Sequence, residues 1–167
     1  MTMRNALTYE RACELLRYEQ DAGKLFWKKD AGARAKAGNV AGFMDGSGYV
    51  SIKIDRVLYR AHRVIWLLQT GRFPEKFIDH VNGVKNDNRW SNIREATPSK
   101  NAANTGARSN CKSGTKGVTL ADGRYVVQCK AAGKKRYWAS FATLDEATHA
   151  YRIKASEYFG DFARVTQ

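Results

Sequence analysis

Apolar residues fall at helical spacing in some stretches of this chain and alternate with polar ones in others. In YERACELLRYEQ, Ala12, Leu15 and Leu16 make one stripe, Thr8 offers an N-cap and Gly23 a stop, which predicts a helix. KLFWKK then reads as a short strand, and DAGARAKAGNVAG, which is small, Gly-rich and basic, reads as a loop. YVSIKI alternates, and VLYRAH follows after Asp55-Arg56, so the pair predicts a hairpin. AHRVIWLLQT sets Ala61, Val64, Ile65 and Leu68 on one helical face and ends at Gly71.

FIDH is the next short strand, and Asn82-Gly83 turns the chain. IREAT returns as a second strand. Thr97 then caps a helix whose first position is Pro98, with Asn101 in its first full turn. The expected unit is strand–loop–strand–helix, with Asp79 and His80 on one side and Asn101 on the other. NTGARSNCKSGTKG has linker composition. Three strands follow, GVTL, RYVVQCK and KRYWASF, parted by turns at Asp122-Gly123 and Gly133. Thr143 and Glu146 form a capping box. Leu144, Ala147, Tyr151, Ala155 and Tyr158 make the stripe of a last helix, closed by Gly160. The pattern as a whole predicts an α+β protein ending in a three-stranded antiparallel sheet packed on one helix.

Charge narrows the class of partner. The 167 residues suffice for one ordinary domain or two small ones, and a hydrophobic content of 43% supports real cores. Lys and Arg number 29 against 16 Asp and Glu, a formal charge of +13 and a pI near 9.9. That balance points to a polyanion. No stretch approaches the roughly 18 uninterrupted apolar residues of a membrane span, and charges interrupt any signal-like N-terminus. Double-stranded DNA is therefore the expected partner, and a membrane is not. Cys13, Cys111 and Cys129 are scattered, with no CxxC pair or zinc spacing, which predicts a reduced, cytoplasmic setting.

One stretch concentrates the chemistry. Residues 78–101 read IDHVNGVKNDNRWSNIREATPSKN, with an Asp-His pair among many amides. Phosphodiester hydrolysis needs a hard cation at the phosphate, a base for water, and a group that fixes the base's tautomer. Asp79 and Asn101 offer two oxygen ligands of the kind magnesium or manganese takes. His80 is the candidate base and Asn92 the group to orient it. An Asn-rich loop of turns and side-chain caps would carry many of the same residues. Residue chemistry alone leaves both readings open.

The string DHVNG…DNRWSNIREATPSKNAAN resembles the HNH endonucleases, the ββα-metal nucleases, and most of all their phage members, which include homing endonucleases. The resemblance covers residues 8–104, including the hairpin and helix of GYVSIKIDRVLYRAHRVIWLLQTGRFP. It implies that Asp79 and Asn101 bind the metal, that His80 is the general base and that Asn92 orients it. The third motif position is Asn101 rather than His, which suits Mg²⁺, with Mn²⁺ as a substitute, and makes zinc unexpected. Asn82, Asn86, Asp87, Asn88 and Asn104 read as loop structure, His62 as packing at a helix start with a phosphate contact as the alternative, and His149 as a polar-face residue.

In the C-terminal third, period-2 alternation puts Val126, Gln128 and Lys130 on one face and Tyr125, Val127 and Cys129 on the other. Continuing the phase pairs Trp138 and Phe141 with the helix and leaves Gln, Lys and Tyr outward. A solvated sheet face has the same pattern. SGTKGVTL…RYVVQCK…KKRYWASFATLDEATHAYRIKASEYFGDFARV resembles the Apetala-two/ethylene-response-factor domain, whose sheet reads the major groove. The strands carry Lys116, Thr119, Arg124, Gln128, Lys130, Lys135 and Tyr137 as expected DNA contacts. Lys and Thr lack the bidentate fork that reads guanine, so no target sequence transfers. The expectation is a homing-type endonuclease domain over 1–105, a linker over 106–113 and a DNA-binding domain over 114–167. It would act as a monomer on DNA and nick one strand, leaving 5′-phosphate and 3′-hydroxyl ends. A non-catalytic DNA-binding regulator and a structure-directed junction or repair nuclease are the alternatives.

Overall fold

The computed structural model describes residues 7–164. The chain divides into two compact units, Met1–Glu95 and Ala96–Gln167. In the first, Thr8 Oγ1 accepts from Arg11 N at 3.2 Å and opens helix α1, Tyr9–Leu15. The helix is shorter than its apolar stripe predicts. Leu16 turns extended and begins strand β1, Leu16–Glu19, which pairs antiparallel with β2, Lys24–Trp27. Pairing Leu16 with Trp27 and Tyr18 with Leu25 buries Leu16, Leu25 and Trp27, and this tertiary contact overrides local helix propensity.

Strands β3 (Phe43–Met44), β4 (Val50–Ile54) and β5 (Val57–Arg60) form a second antiparallel sheet in that order. Asp55 and Arg56 both take positive φ, 47° and 68°, as a two-residue hairpin turn of matching twist requires. Helix α2, Ala61–Thr70, follows without a loop, and Gly71 at φ 77° donates its N–H to Leu67 O at 2.9 Å. Val64, Ile65 and Leu67 of α2 join Ala12, Leu15, Ile52 and Ile54 in one core. Strand β6, Phe77–His80, pairs with β7, Ile93–Ala96, and Ile78 and Ile93 reach the same core.

In the second unit, Thr97 caps the short helix α3, Pro98–Ala103, accepting from Lys100 N at 3.3 Å. Strands β8 (Val118–Ala121), β9 (Arg124–Cys129) and β10 (Tyr137–Phe141) make an antiparallel sheet ordered β10-β9-β8. Helix α4, Leu144–Phe159, starts in the expected capping box: Glu146 N donates to Thr143 Oγ1 at 3.3 Å, and Thr143 N donates to Glu146 Oε2 at 3.1 Å. Ala147, Tyr151 and Ala155 pack on Val118, Val127 and Cys129. At Gly117, φ is +73° and a Cβ would lie 2.2 Å from Tyr151 Cε2, so no other residue fits under that ring. Among the described residues no helix is long and apolar enough to cross a membrane.

Candidate active site

Strand β6 ends in Asp79 and His80, only 5% and 4% exposed. A carboxylate so shielded from water needs a cation, and β7 supplies one: Arg94 Nε donates to Asp79 Oδ2 at 3.0 Å. His80 Nε2 lies 3.0 Å from Asn88 Oδ1. An amide oxygen only accepts, so Nε2 carries the hydrogen and, in the neutral ring, Nδ1 carries the lone pair.

Sequence reasoning places Asn88 in the loop as structure and Asn92 on the imidazole. The amide facing the ring is Asn88, itself 2% exposed. Asn92 instead spans the loop: its Oδ1 accepts from Asn82 N at 3.0 Å and its Nδ2 donates to Asp87 O at 2.7 Å. Asn82 closes the tip, donating through Nδ2 to Asp87 Oδ2 at 2.7 Å and accepting from Val84 N at 2.8 Å. Arg89 forks onto Asp87 through Nε at 2.8 Å and Nη2 at 2.6 Å, and this guanidinium chiefly holds the Asp87 carboxyl down at about 2. The loop between β6 and β7 is thus fixed from within.

It is also fixed from the β1–β2 hairpin. Tyr18 Oη donates to Asn88 O at 2.8 Å, and burial pushes that phenol up to about 12. Gly23, at φ +64°, lets the hairpin turn approach the next peptide: a Cβ there would sit 2.6 Å from Arg89 N and 2.8 Å from Asn88 C. The only sequence signal for this was the Gly itself, read as a stop.

Two rings complete the surroundings. His62 of α2 meets His80 edge-on, with centroids 5.1 Å apart at 86°, and Tyr49 lies 5.5 Å from His62 and 5.9 Å from His80. Arg60 and Lys85 stand over Tyr49 at 4.7 and 5.0 Å, and Arg60 also pairs with Asp45. Burial first, then the nearby His80, Arg63 and Arg60, pushes His62 down to about 3, so its imidazole is neutral. Asn101 lies on α3 in the second unit, half-buried, its N–H donating to Thr97 O at 2.8 Å.

The donor chemistry fits a hard cation. Asp79 is a carboxylate beside an imidazole, and magnesium takes one or two protein carboxylates and keeps waters and substrate phosphate for its other positions. Among the described residues no three His, Cys, Asp or Glu side chains cluster, so any ion here relies on few protein ligands.

The sheet of the second unit has one open face. Thr119, Arg124, Val126, Gln128, Trp138 and Ser140 line a shallow depression of about 400 Å³ on it. Thr119, Arg124 and Gln128 stand where the sequence placed them. Tyr137 does not: it pairs with Cys129 and packs on the helix side, while Trp138 pairs with Gln128 and is 60% exposed. The loop before β10 shifts the alternation by one residue, which inverts the Tyr137/Trp138 assignment. Lys116 is half-buried, its Nζ donating to Ala102 O, Ala103 O and Thr105 O at 2.6, 2.7 and 2.9 Å. Lys130 and Lys135 are exposed between β9 and β10, outside the strands.

Residues 59–103 match the family described as HNH endonuclease. An uncharacterized HNH endonuclease of Acanthamoeba polyphaga mimivirus is 30% identical over 123 residues, covering 72% of this chain and 64% of that protein. Protein 3.8 of Escherichia phage T7 is 30% identical over 108 residues, covering 63% of this chain and 88% of that protein. The chain therefore spans less than two thirds of the mimivirus relative. No solved structure matches it significantly.

Proposed function

We propose that this chain, whose residues 59–103 match the HNH endonuclease family, is a metal-dependent DNA endonuclease that nicks one strand at a recognised sequence. The observation that carries the reading is the Asp79–His80 pair at the end of β6, with His80 held by a buried amide and Asp79 by a half-buried guanidinium. His80, its Nε2–H engaged by Asn88, takes a proton from water at Nδ1 as the water attacks phosphorus in line with the departing 3′ oxygen. The ends are then 5′-phosphate and 3′-hydroxyl. Asp79 would hold a magnesium ion, with manganese able to replace it, and that ion supplies charge stabilisation at the leaving oxygen. Asn101 carries the motif's other ion-ligand position.

The second part of the proposal is recognition. Residues 114–167 act as an Apetala-two-like DNA-binding domain, tethered through 106–113 to the nuclease domain over 1–105. The open face with Thr119, Arg124, Gln128 and Trp138, and the formal charge of +13, support it. A tether raises the local concentration of the catalytic part at its target, so that part can grip DNA weakly on its own. A single site per monomer cuts a single strand.

Incubating supercoiled plasmid with the protein, with Mg²⁺ or with chelator, tests the reading. Open circles that form only with Mg²⁺, and that ligase reseals, are the expected result. Cleavage that persists in chelator, or nicks that ligase cannot seal, would contradict it.

A further inference from the structure

His62 is the second residue of α2 and 7% exposed, yet it enters no hydrogen bond or ion pair among the described residues. Its ring nitrogens are not among the side-chain atoms sealed from solvent without a partner, so an unpartnered nitrogen stays within reach of a ligand. The ring stands edge-on to His80 at 5.1 Å. Its surroundings select for an anion. Arg60, the N-cap residue of α2, is extended, no side chain caps the helix, and its first turn holds no acid. The positive end of this ten-residue helix therefore falls at His62, between the buried Ala61 and Val64. Arg60 and Lys85 lie over the adjoining Tyr49, and Asp45 there is paired with Arg60.

We propose that His62, at the positive end of α2, is a second phosphate-contacting group of the endonuclease site, donating its ring N–H to a non-bridging oxygen of the DNA phosphate that His80 serves. This rests on the endonuclease reading. His62 and His80 then divide the work. His80, its Nε2 engaged by Asn88, is the base. His62, with no partner to fix its tautomer, presents a hydrogen to whichever oxygen arrives. Because burial keeps it neutral, it offers a donor without adding an acid that competes for the base's proton.

The test compares plasmid nicking in Mg²⁺ by wild type, His62→Phe and His62→Gln, with thermal unfolding as a check on each. His62→Phe keeps the ring contact with His80 and loses the donor. Its kcat should fall about 10²-fold with little change in KM, as on removal of one transition-state donor. His62→Gln keeps an N–H and should recover most of the rate. His62→Met, also donor-free, replaces the Phe variant if that fails to fold. Full-rate nicking by a donor-free variant overturns the proposal, as does equal loss in the Gln and donor-free variants. If wild type itself does not nick, the endonuclease reading fails first.

Discussion

Asn88 Oδ1 and His80 Nε2 lie 3.0 Å apart, with both side chains almost wholly withdrawn from solvent. The contact fixes which nitrogen of His80 carries the hydrogen. The backbone of Asn88 is in turn gripped by Tyr18 and by the Gly23 turn, both outside the residues that match the HNH endonuclease family. The N-terminal hairpin therefore holds the partner of the His80 imidazole from beyond the matched residues.

Asn88→Ala should slow nicking about 10–100-fold, the usual effect of losing a group that orients a catalytic or metal-bound histidine, and should leave KM nearly unchanged. Asn88→Asp keeps an acceptor at the same place and should retain more activity. Steady-state nicking kinetics on one plasmid preparation check both.

Gly23→Ala forces a side chain into a positive-φ position and against the Asn88–Arg89 peptide. The backbone term alone costs about 1 kcal/mol, and the close contacts add to it. Urea unfolding should show the loss of stability, and the nicking rate should fall with it because Asn88 is displaced. An alanine variant with unchanged midpoint and rate would remove the hairpin from the account.

His62 sets a pH dependence of stability. Its folded pKa, about 3, lies below that of an unfolded histidine, so between about 6.5 and 3 the unfolded chain binds a proton that the native one does not. Stability should fall as pH drops through that window, by up to about 1.4 kcal/mol per pH unit from this group. His62→Phe should flatten that slope. Denaturant midpoints from pH 7 to 4 give the comparison.

Lys116 and Trp138 separate structure from recognition. Lys116 gathers the last carbonyls of α3, and Lys116→Ala should lower stability by about 1.5–3 kcal/mol. Trp138→Ala removes an exposed ring from the open sheet face and should weaken DNA binding in a mobility-shift assay without a comparable stability loss. Tyr137→Ala should do the opposite, because Tyr137 packs under α4.

Much of the fold was legible because its signals were local. The Thr97 and Thr143 caps, the Asp55-Arg56 turn and the stripe of α4 each rest on residues a few positions apart. What was not legible depends on distant partners. The end of α1 is decided by the pairing of Leu16 with Trp27, and the facing of Tyr137 and Trp138 by the register against β9. In the site, Asp79 and His80 stood out by type, and both lie within the residues that match the HNH endonuclease family. Asn88 was hidden among chemically identical amides, since which asparagine meets the imidazole depends on how the loop closes. Lys116 looked like a DNA contact because a lysine's charge shows in the sequence and its carbonyl partners do not.

The most direct test of the central claim, that His80 is the base of a DNA-hydrolysing site, is the single-turnover nicking rate of His80→Ala in Mg²⁺, with DNA affinity measured on the same protein. Removing a general base should cut the rate about 10²–10⁴-fold while affinity stays within a few-fold of wild type. A variant that binds and nicks as fast as wild type would contradict the account.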